Sequence, residues 1–382
     1  MNKKIMVALV LCAALTYGCQ SKSTQNKSSE TVVDTLANTT FESQIDGKEV
    51  KLFQLKNEKL TVTLTNYGAR LVSLNVLDKE GKNTDVILGY DAAKAYKDNF
   101  NNYYGAIVGR YGNRIGNASF KLNGQAYQLE KNDGEQSLHG GTNGVYNKVW
   151  DLLENTPTSV TLAYTSPDLE AGYPGTVKME VTYTLSEDGG LLIDYQATTD
   201  KETVLNLTNH AYFNLNGAGD TSILDHELQI DANTITEVDA NLIPTGKSLP
   251  VKGTAFDFTK PKAIGLHIGD ENAQLKIGKG YDHNFELDKK DDFQHVASVY
   301  APKTGIEMQI YTSEPGLQFY SGNFMKDSDP KGKNGKVYPY RSAFCLETQH
   351  FPDAPNHPNF ASTVLKPGDT YHSKTTYRFS VR

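Results

Sequence analysis

The stretch Val177-Lys178-Met179-Glu180-Val181-Thr182-Tyr183-Thr184-Leu185 alternates large apolar with polar residues. Glu187-Asp188-Gly189-Gly190 follows as a turn, and Leu191, Ile193, Tyr195 and Ala197 resume the alternation. A period of two puts every apolar side chain on one face of an extended chain, so this segment reads as a β-hairpin with one buried face. The same signature recurs on either side. Phe120 and Leu122 lead into Asn123-Gly124, the dipeptide best suited to the positive φ angles of a tight hairpin turn, and Tyr127 and Leu129 follow. Val296 to Tyr300 turns near Lys303-Thr304-Gly305 and returns through Ile306, Met308 and Ile310, while Leu60, Val62 and Leu64 give one more strand. Only Asp91 to Asp98 has a pattern fit for two helical turns. Strands without intervening helices predict an all-β fold, a large twisted antiparallel β-sandwich with few short helices.

Composition sets the remaining bounds. The chain has 382 residues, 38 Lys and Arg against 45 Asp and Glu, and a net charge of −7. An acidic chain with no Lys/Arg-rich block is unsuited to neutralising phosphates, which excludes nucleic acid as a partner. Its 22 Tyr and 15 Phe beside a single Trp provide rings with hydroxyls, which suit a wet sugar site and equally suit sheet surfaces. Lys3 and Lys4 precede the apolar run Ile5 to Leu15, a basic head and a core too short to span a bilayer, so residues 1–18 read as an export signal. Gly18-Cys19 at its end resembles a bacterial lipoprotein signal, in which cleavage precedes the Cys and the new terminus is acylated. Cleavage would take the charge to −9 by removing Lys3 and Lys4. Residues 19–39, Ser-, Thr-, Lys- and Asn-rich after Cys19, read as a flexible tether, and 40–382 as one large domain without a linker. Gln20, with no Asp after the Cys, points the anchor to the outer membrane, facing the periplasm. Of three Cys, Cys12 is discarded and Cys19 is the anchor, so Cys345 is left alone in the folded part and no internal disulfide can form.

Chemistry concentrates in five polar segments: Gly109 to Ile115, Leu138 to Gly141, Asn209 to Leu215, Gly280 to Phe285, and Leu346 to Gln349. They carry His139, His210, His283, Asp282, Glu347 and Arg114, an inventory for acid–base work if they converge. His283 with His295, or His350 with His357, could ligate a metal, but no HExxH or CxxC spacing is present. There is no G-x-S-x-G for a serine nucleophile, no G-x-G-x-x-G for a dinucleotide and no P-loop. The carboxyls Asp282 and Glu347 keep a glycoside hydrolase in view, since that reaction sets two of them across the scissile bond. A non-catalytic carbohydrate-binding module is the other alternative. The company of His139 and His210 favours proton transfer near neutral pH.

At these same segments the chain resembles the aldose 1-epimerase (galactose mutarotase) family. The resemblance runs over roughly residues 41 to 382 and includes Glu170-Ala171-Gly172-Tyr173-Pro174-Gly175, Gly316 to Asn323 and Gln349 to Asn356. Asn209-His210-Ala211-Tyr212-Phe213-Asn214-Leu215 and Leu346-Glu347-Thr348-Gln349 are its most specific words; Ala361, where the family often has Pro, departs from it. The resemblance implies a twisted β-sandwich with the sugar site on an open face, and interconversion of α and β anomers of a free aldose such as D-glucose or D-galactose. It implies Glu347 as general base at the anomeric hydroxyl, His210 as general acid at the ring oxygen, and His139 bonded near that oxygen. Asn113, Arg114, Asp282 and Gln318 would hold the sugar, with Arg110 structural and His283 a packing residue. Glu347 is expected to stay ionised when the sugar arrives, so nearby donors must counter any burial that would raise its pKa. No cofactor is needed for the chemistry. A Ca²⁺ at the site, as in some bacterial members, stays open, because the chain has oxygen ligands but no EF-hand loop. The expected partner is a small aldose, the protein a monomer that meets the membrane only through its lipid anchor.

Overall fold

In the computed structural model the alternating segment forms the expected hairpin. Val177–Leu185 pairs antiparallel with Gly190–Thr199, and Val177, Met179, Val181, Tyr183 and Leu185 are all buried. The structure describes residues 40–382; the expected signal (1–18), the acylated Cys19 and the tether (19–39) lie outside them. Asn123 and Gly124 turn the hairpin Ser119–Leu122/Gln125–Gln128 with φ of 50° and 80°, the pair of positive angles that such a turn requires. Leu60–Thr65 is also a strand, and Gln294–Tyr300 pairs with Ile306–Thr312.

Three sheets carry the fold. One has nine strands, running in space from Asp151–Asn155 at one edge, through the central Gly190–Thr199, Tyr371–Val381 and Ile306–Thr312, to Lys262–Ala263 at the other. A four-stranded sheet spans Leu52–Lys56 to Asn83–Asp85. The third is ordered Pro244–Pro250, Ala232–Val238, Asp282–Leu287, Gly316–Tyr320, Cys345–Gln349. One hydrophobic core is shared by all three: Leu64 and Leu74 from the four-stranded sheet, Met179 and Ile310 from the nine-stranded, Phe285 and Phe319 from the five-stranded. This is the expected all-β sandwich. Among the described residues α-helix is confined to Ala93–Asp98, as expected, and to Ala273–Gly278, which the sequence reading missed; the other helical turns, such as Val145–Asn147, are short 3-10 segments. Asn272 caps that second helix by accepting from the amides of Gln274 and Leu275.

The five-stranded sheet positions the chemistry. Successive side chains of a strand point to opposite faces. His283, Phe285, Leu317, Phe319, Leu346 and Thr348 therefore share one face, most of them in the core, and Asp282, Asn284, Gln318, Glu347 and Gln349 share the other. Short two-stranded ladders cover that polar face: Arg114–Ile115 with Ser137–Leu138, and Thr208–Asn209 with Ile107–Val108.

Candidate active site

His210 stands at the end of the ladder between Thr208–Asn209 and Ile107–Val108. Its amide donates to Ala106 O at 2.8 Å and its carbonyl accepts from the Gly105 amide at 3.0 Å. The Asn209 side chain staples the same place, donating to Gly105 O at 2.9 Å and accepting from the Ala211 amide. The imidazole lies between two rings, Tyr212 at 5.0 Å and Tyr103 at 5.5 Å between centroids. Tyr103 also packs on His139 at 4.6 Å. Tyr212 belongs to the word Asn209 to Leu215 quoted from the sequence, but Tyr103 was not singled out; the Tyr103-Tyr104 pair ahead of Gly105 carries no pattern that distinguishes a site ring from a core ring.

His139 occupies a turn that needs left-handed backbone, with φ of 54° followed by Gly140 and Gly141 at 87° and 83°. Its amide donates to Asn113 O at 3.0 Å, and the Asn113 amide donates back to Nδ1 of His139 at 3.1 Å. With Nδ1 occupied as an acceptor, the neutral ring carries its proton on Nε2, the nitrogen left for the cavity. The Asn113 side chain accepts from the Arg114 amide, and Arg114 Nε donates to Asp133 at 2.8 Å while its NH1 stands 4.0 Å from Asp282.

These groups open on one cavity of about 780 Å³, lined by Asn113, Arg114, His139, His210, Asp282 and Glu347 among others. Five segments dispersed over more than 230 residues of sequence thus meet at one place. Glu347 is 2 % exposed, and its Oε1 lies 3.7 Å from Nε2 of His210. Gln318 alone among the expected sugar-binding residues is not part of the lining. It lies behind Asp282, donating from Nε2 to Oδ1 at 2.7 Å. Arg110 holds the carbonyls of Ser166, Pro167 and Pro174, and His283 packs on Phe256 at 4.7 Å.

Burial dominates the electrostatics. It pushes Glu347 well above the usual carboxyl range, with the charge of Asp282 adding to the effect and Arg114 opposing it. Burial likewise lowers His210 to about 4, and takes His139 well below its ordinary value with help from His210 and Arg114. Asp282 is raised by burial against the pull of Arg114 and Gln318. The donors expected around Glu347 are not found at its Oε2, which is buried without a hydrogen-bond partner, and only the charge of Arg114 favours the ionised form. Both shifts favour the uncharged form of each group, the carboxylic acid of Glu347 and the neutral imidazole of His210.

His139, His210 and Glu347 bring ligand atoms within 4.8 Å of one another, the only such group of three His, Cys, Asp or Glu among the described residues. The set fits a metal poorly. Coordination through Nε2 of His139 would move its proton to Nδ1, into the amide proton of Asn113. Two imidazoles also suit Ca²⁺ badly, which takes oxygen ligands. The pairs His283/His295 and His350/His357 form no such group; His350 pairs with Glu314 and His357 with Asp353.

A buried imidazole beside a buried carboxyl, on the polar face of a β-sandwich, defines a general acid–base enzyme. The family model described as aldose 1-epimerase matches residues 51–378. The chain is 44 % identical over 335 residues to galactose mutarotase of Sus scrofa, covering 87 % of this chain and 94 % of that protein. It is 36 % identical over 338 residues to aldose 1-epimerase of Escherichia coli K12, covering 87 % and 96 %. Among solved structures, the aldose epimerase homologue from C. elegans superposes with a TM-score of 0.81 at 34 % identity, covering 87 % of this chain and 99 % of that one. The chain belongs to the aldose 1-epimerase family.

Proposed function

We propose that this protein is an isomerase interconverting the α and β anomers of free aldohexoses, with Glu347 and His210 as its base and acid. The observation that carries the reading is the 3.7 Å approach of Nε2 of His210 to Oε1 of Glu347. O1 and O5 of a pyranose are bonded to the same carbon, so groups serving both must stand side by side. Glu347 takes the proton of O1 while His210 gives one to O5, and the C1–O5 bond breaks. The open aldehyde turns about C1–C2. His210 then takes the O5 proton as O5 attacks the other face of C1, and Glu347 returns its proton to O1. The starting state, carboxylate with imidazolium, holds the same single proton as the neutral pair, so substrate binding has only to shift that proton across. His139 offers its Nε2–H to O5, and Asn113, Arg114 and Asp282 hold ring hydroxyls. Only protons move, between groups that the chain supplies, and no cofactor enters the steps.

Polarimetry of freshly dissolved α-D-glucose and α-D-galactose tests this reading: added protein should hasten the approach to the anomeric mixture. Glu347→Gln and His210→Asn should each lose about 10²–10⁴-fold in kcat. Full activity in either variant would overturn the assignment. Release of reducing ends from an oligosaccharide would instead support a hydrolase. The neighbour of Glu347 favours the isomerase, being an imidazole rather than a second carboxyl. The further readings, D-glucose and D-galactose as substrates, a monomer, and an anchor at Cys19 in the outer membrane, are part of the same proposal. They rest on the residues at the amino terminus and on the family resemblance.

A further inference from the structure

Gln318 is directly opposite Asn284 on one neighbouring strand and directly opposite Glu347 on the other. Side chains so opposed share a face with Cβ atoms about 4.5–5.5 Å apart, and a diagonal neighbour remains within reach of a long side chain. Gln318 uses that diagonal to donate from Nε2 to Oδ1 of Asp282 at 2.7 Å. Committing the amide nitrogen to Asp282 leaves the amide oxygen for the opposite flank. Both Oε1 of Gln318 and Oε2 of Glu347 are buried and without a partner. Two buried acceptors on adjacent strands cannot satisfy one another, and leaving both unsatisfied is costly. A single proton on Oε2 of Glu347 removes both deficits, because a carboxylic acid donates where a carboxylate only accepts.

We infer that Gln318 bridges the two carboxyls of the site, donating to Asp282 and accepting from a protonated Glu347 when no sugar is bound. This rests on the reading of Glu347 as the base. Gln318 is then a positioning residue, acting on the sugar through Asp282 and on the proton through Glu347. The bridge holds the single proton of the pair on the side away from His210, and a half-turn of the carboxyl presents it to Nε2 of His210. The groups that face Glu347 are His210 and His139 from the covering loops, Arg114, Asp282, Cys345 of its own strand, Tyr212 and Tyr377. Burial keeps the thiol and both phenols neutral. Arg114 alone opposes the protonated form, while burial and Asp282 support it.

Two measurements on the full chain test the bridge. The first is the pH profile of kcat/KM, which reports the sugar-free enzyme. In Gln318→Met, nearly the same length without the amide, protonated Glu347 loses its acceptor, and the alkaline limb should move down by about 0.5–1 pH unit. The second is difference infrared spectroscopy at pH 7 between wild type and Glu347→Gln, without sugar. It should show a hydrogen-bonded protonated carboxyl that becomes a free one in Gln318→Met. An unchanged alkaline limb in an active Gln318→Met, or no protonated carboxyl in wild type, would overturn the bridge. A wild type that leaves anomers untouched would overturn the proposed function instead, and the infrared difference would still decide the bridge. If Gln318→Met does not fold, the wild-type band alone decides, its presence supporting the bridge and its absence ending it.

Discussion

Glu347 and His210 are ordinary titrating residues made useful by the absence of water. In solution a carboxyl and an imidazole differ by about two pKa units in favour of an ion pair. In this site burial raises the one and lowers the other to about 4, so the order is inverted and the sugar-free pair favours its neutral form. A pair with one mobile proton is what a reaction that runs alike in both directions requires. The pH dependence follows with its sign. Below about pH 4 the lowered His210 takes a second proton while Glu347 is already protonated, the base is lost, and rate falls as pH falls. On the alkaline side the pair gives up its last proton as pH passes the raised Glu347 value, and the acid is lost. Enzyme-catalysed rates, corrected for the spontaneous reaction, should therefore form a bell whose acid limb lies near pH 4. An acid limb at 6 to 7 would show that His210 titrates as a free imidazole.

At the scale of elements, the site is built from strands that supply rigidity and turns that supply direction. Alternation on Gly316–Tyr320 and Cys345–Gln349 fixes which side chains stand on the polar face, and the covering ladders bring His139 and His210 to the cavity beside them. The turn at His139 has little room for change. A Cβ on Gly140 would stand 2.0 Å from the Gly109 carbonyl oxygen, and its φ of 87° is unfavourable for an L side chain. Gly140→Ala should cost about 1–3 kcal/mol for backbone strain alone. Because the shift is transmitted to Nε2 of His139, activity should fall with it; urea unfolding and polarimetry on one preparation measure both. The segment after Glu347 has a second use. Asp353 donates its amide to Arg114 O at 2.9 Å and accepts from the Gly116 amide at 3.0 Å, so the turn that follows the Glu347 strand also secures the segment that supplies the guanidinium.

At the scale of the whole molecule, one core shared by three sheets holds residues 40–382 without a disulfide, Cys345 being free and buried. The groups proposed to do the chemistry, Glu347, His210 and His139, all lie within the described residues 40–382, and the proposed anchor at Cys19 lies outside them. Labelled palmitate should enter the wild-type protein in a bacterial host and be lost from Cys19→Ala, with the mutarotation rate per molecule unchanged; equal labelling would refute the anchor. Much of this was legible in the linear chain. The Val177–Leu185 alternation and the Asn123-Gly124 turn are local, since a strand's face and a turn's φ angles depend on immediate neighbours, and the short words around His139, His210 and Glu347 announced themselves by being polar where a sheet tolerates less. What stayed hidden depends on distance between remote parts of the chain. No local pattern tells that Tyr103 lies against two imidazoles, that the Gln318 amide donates to Asp282, or that Oε2 of Glu347 meets no donor. The raised proton affinity of Glu347 is the clearest case. It is set by how much water the assembled sheets exclude and by which charges they bring near, and neither quantity exists until the strands have packed.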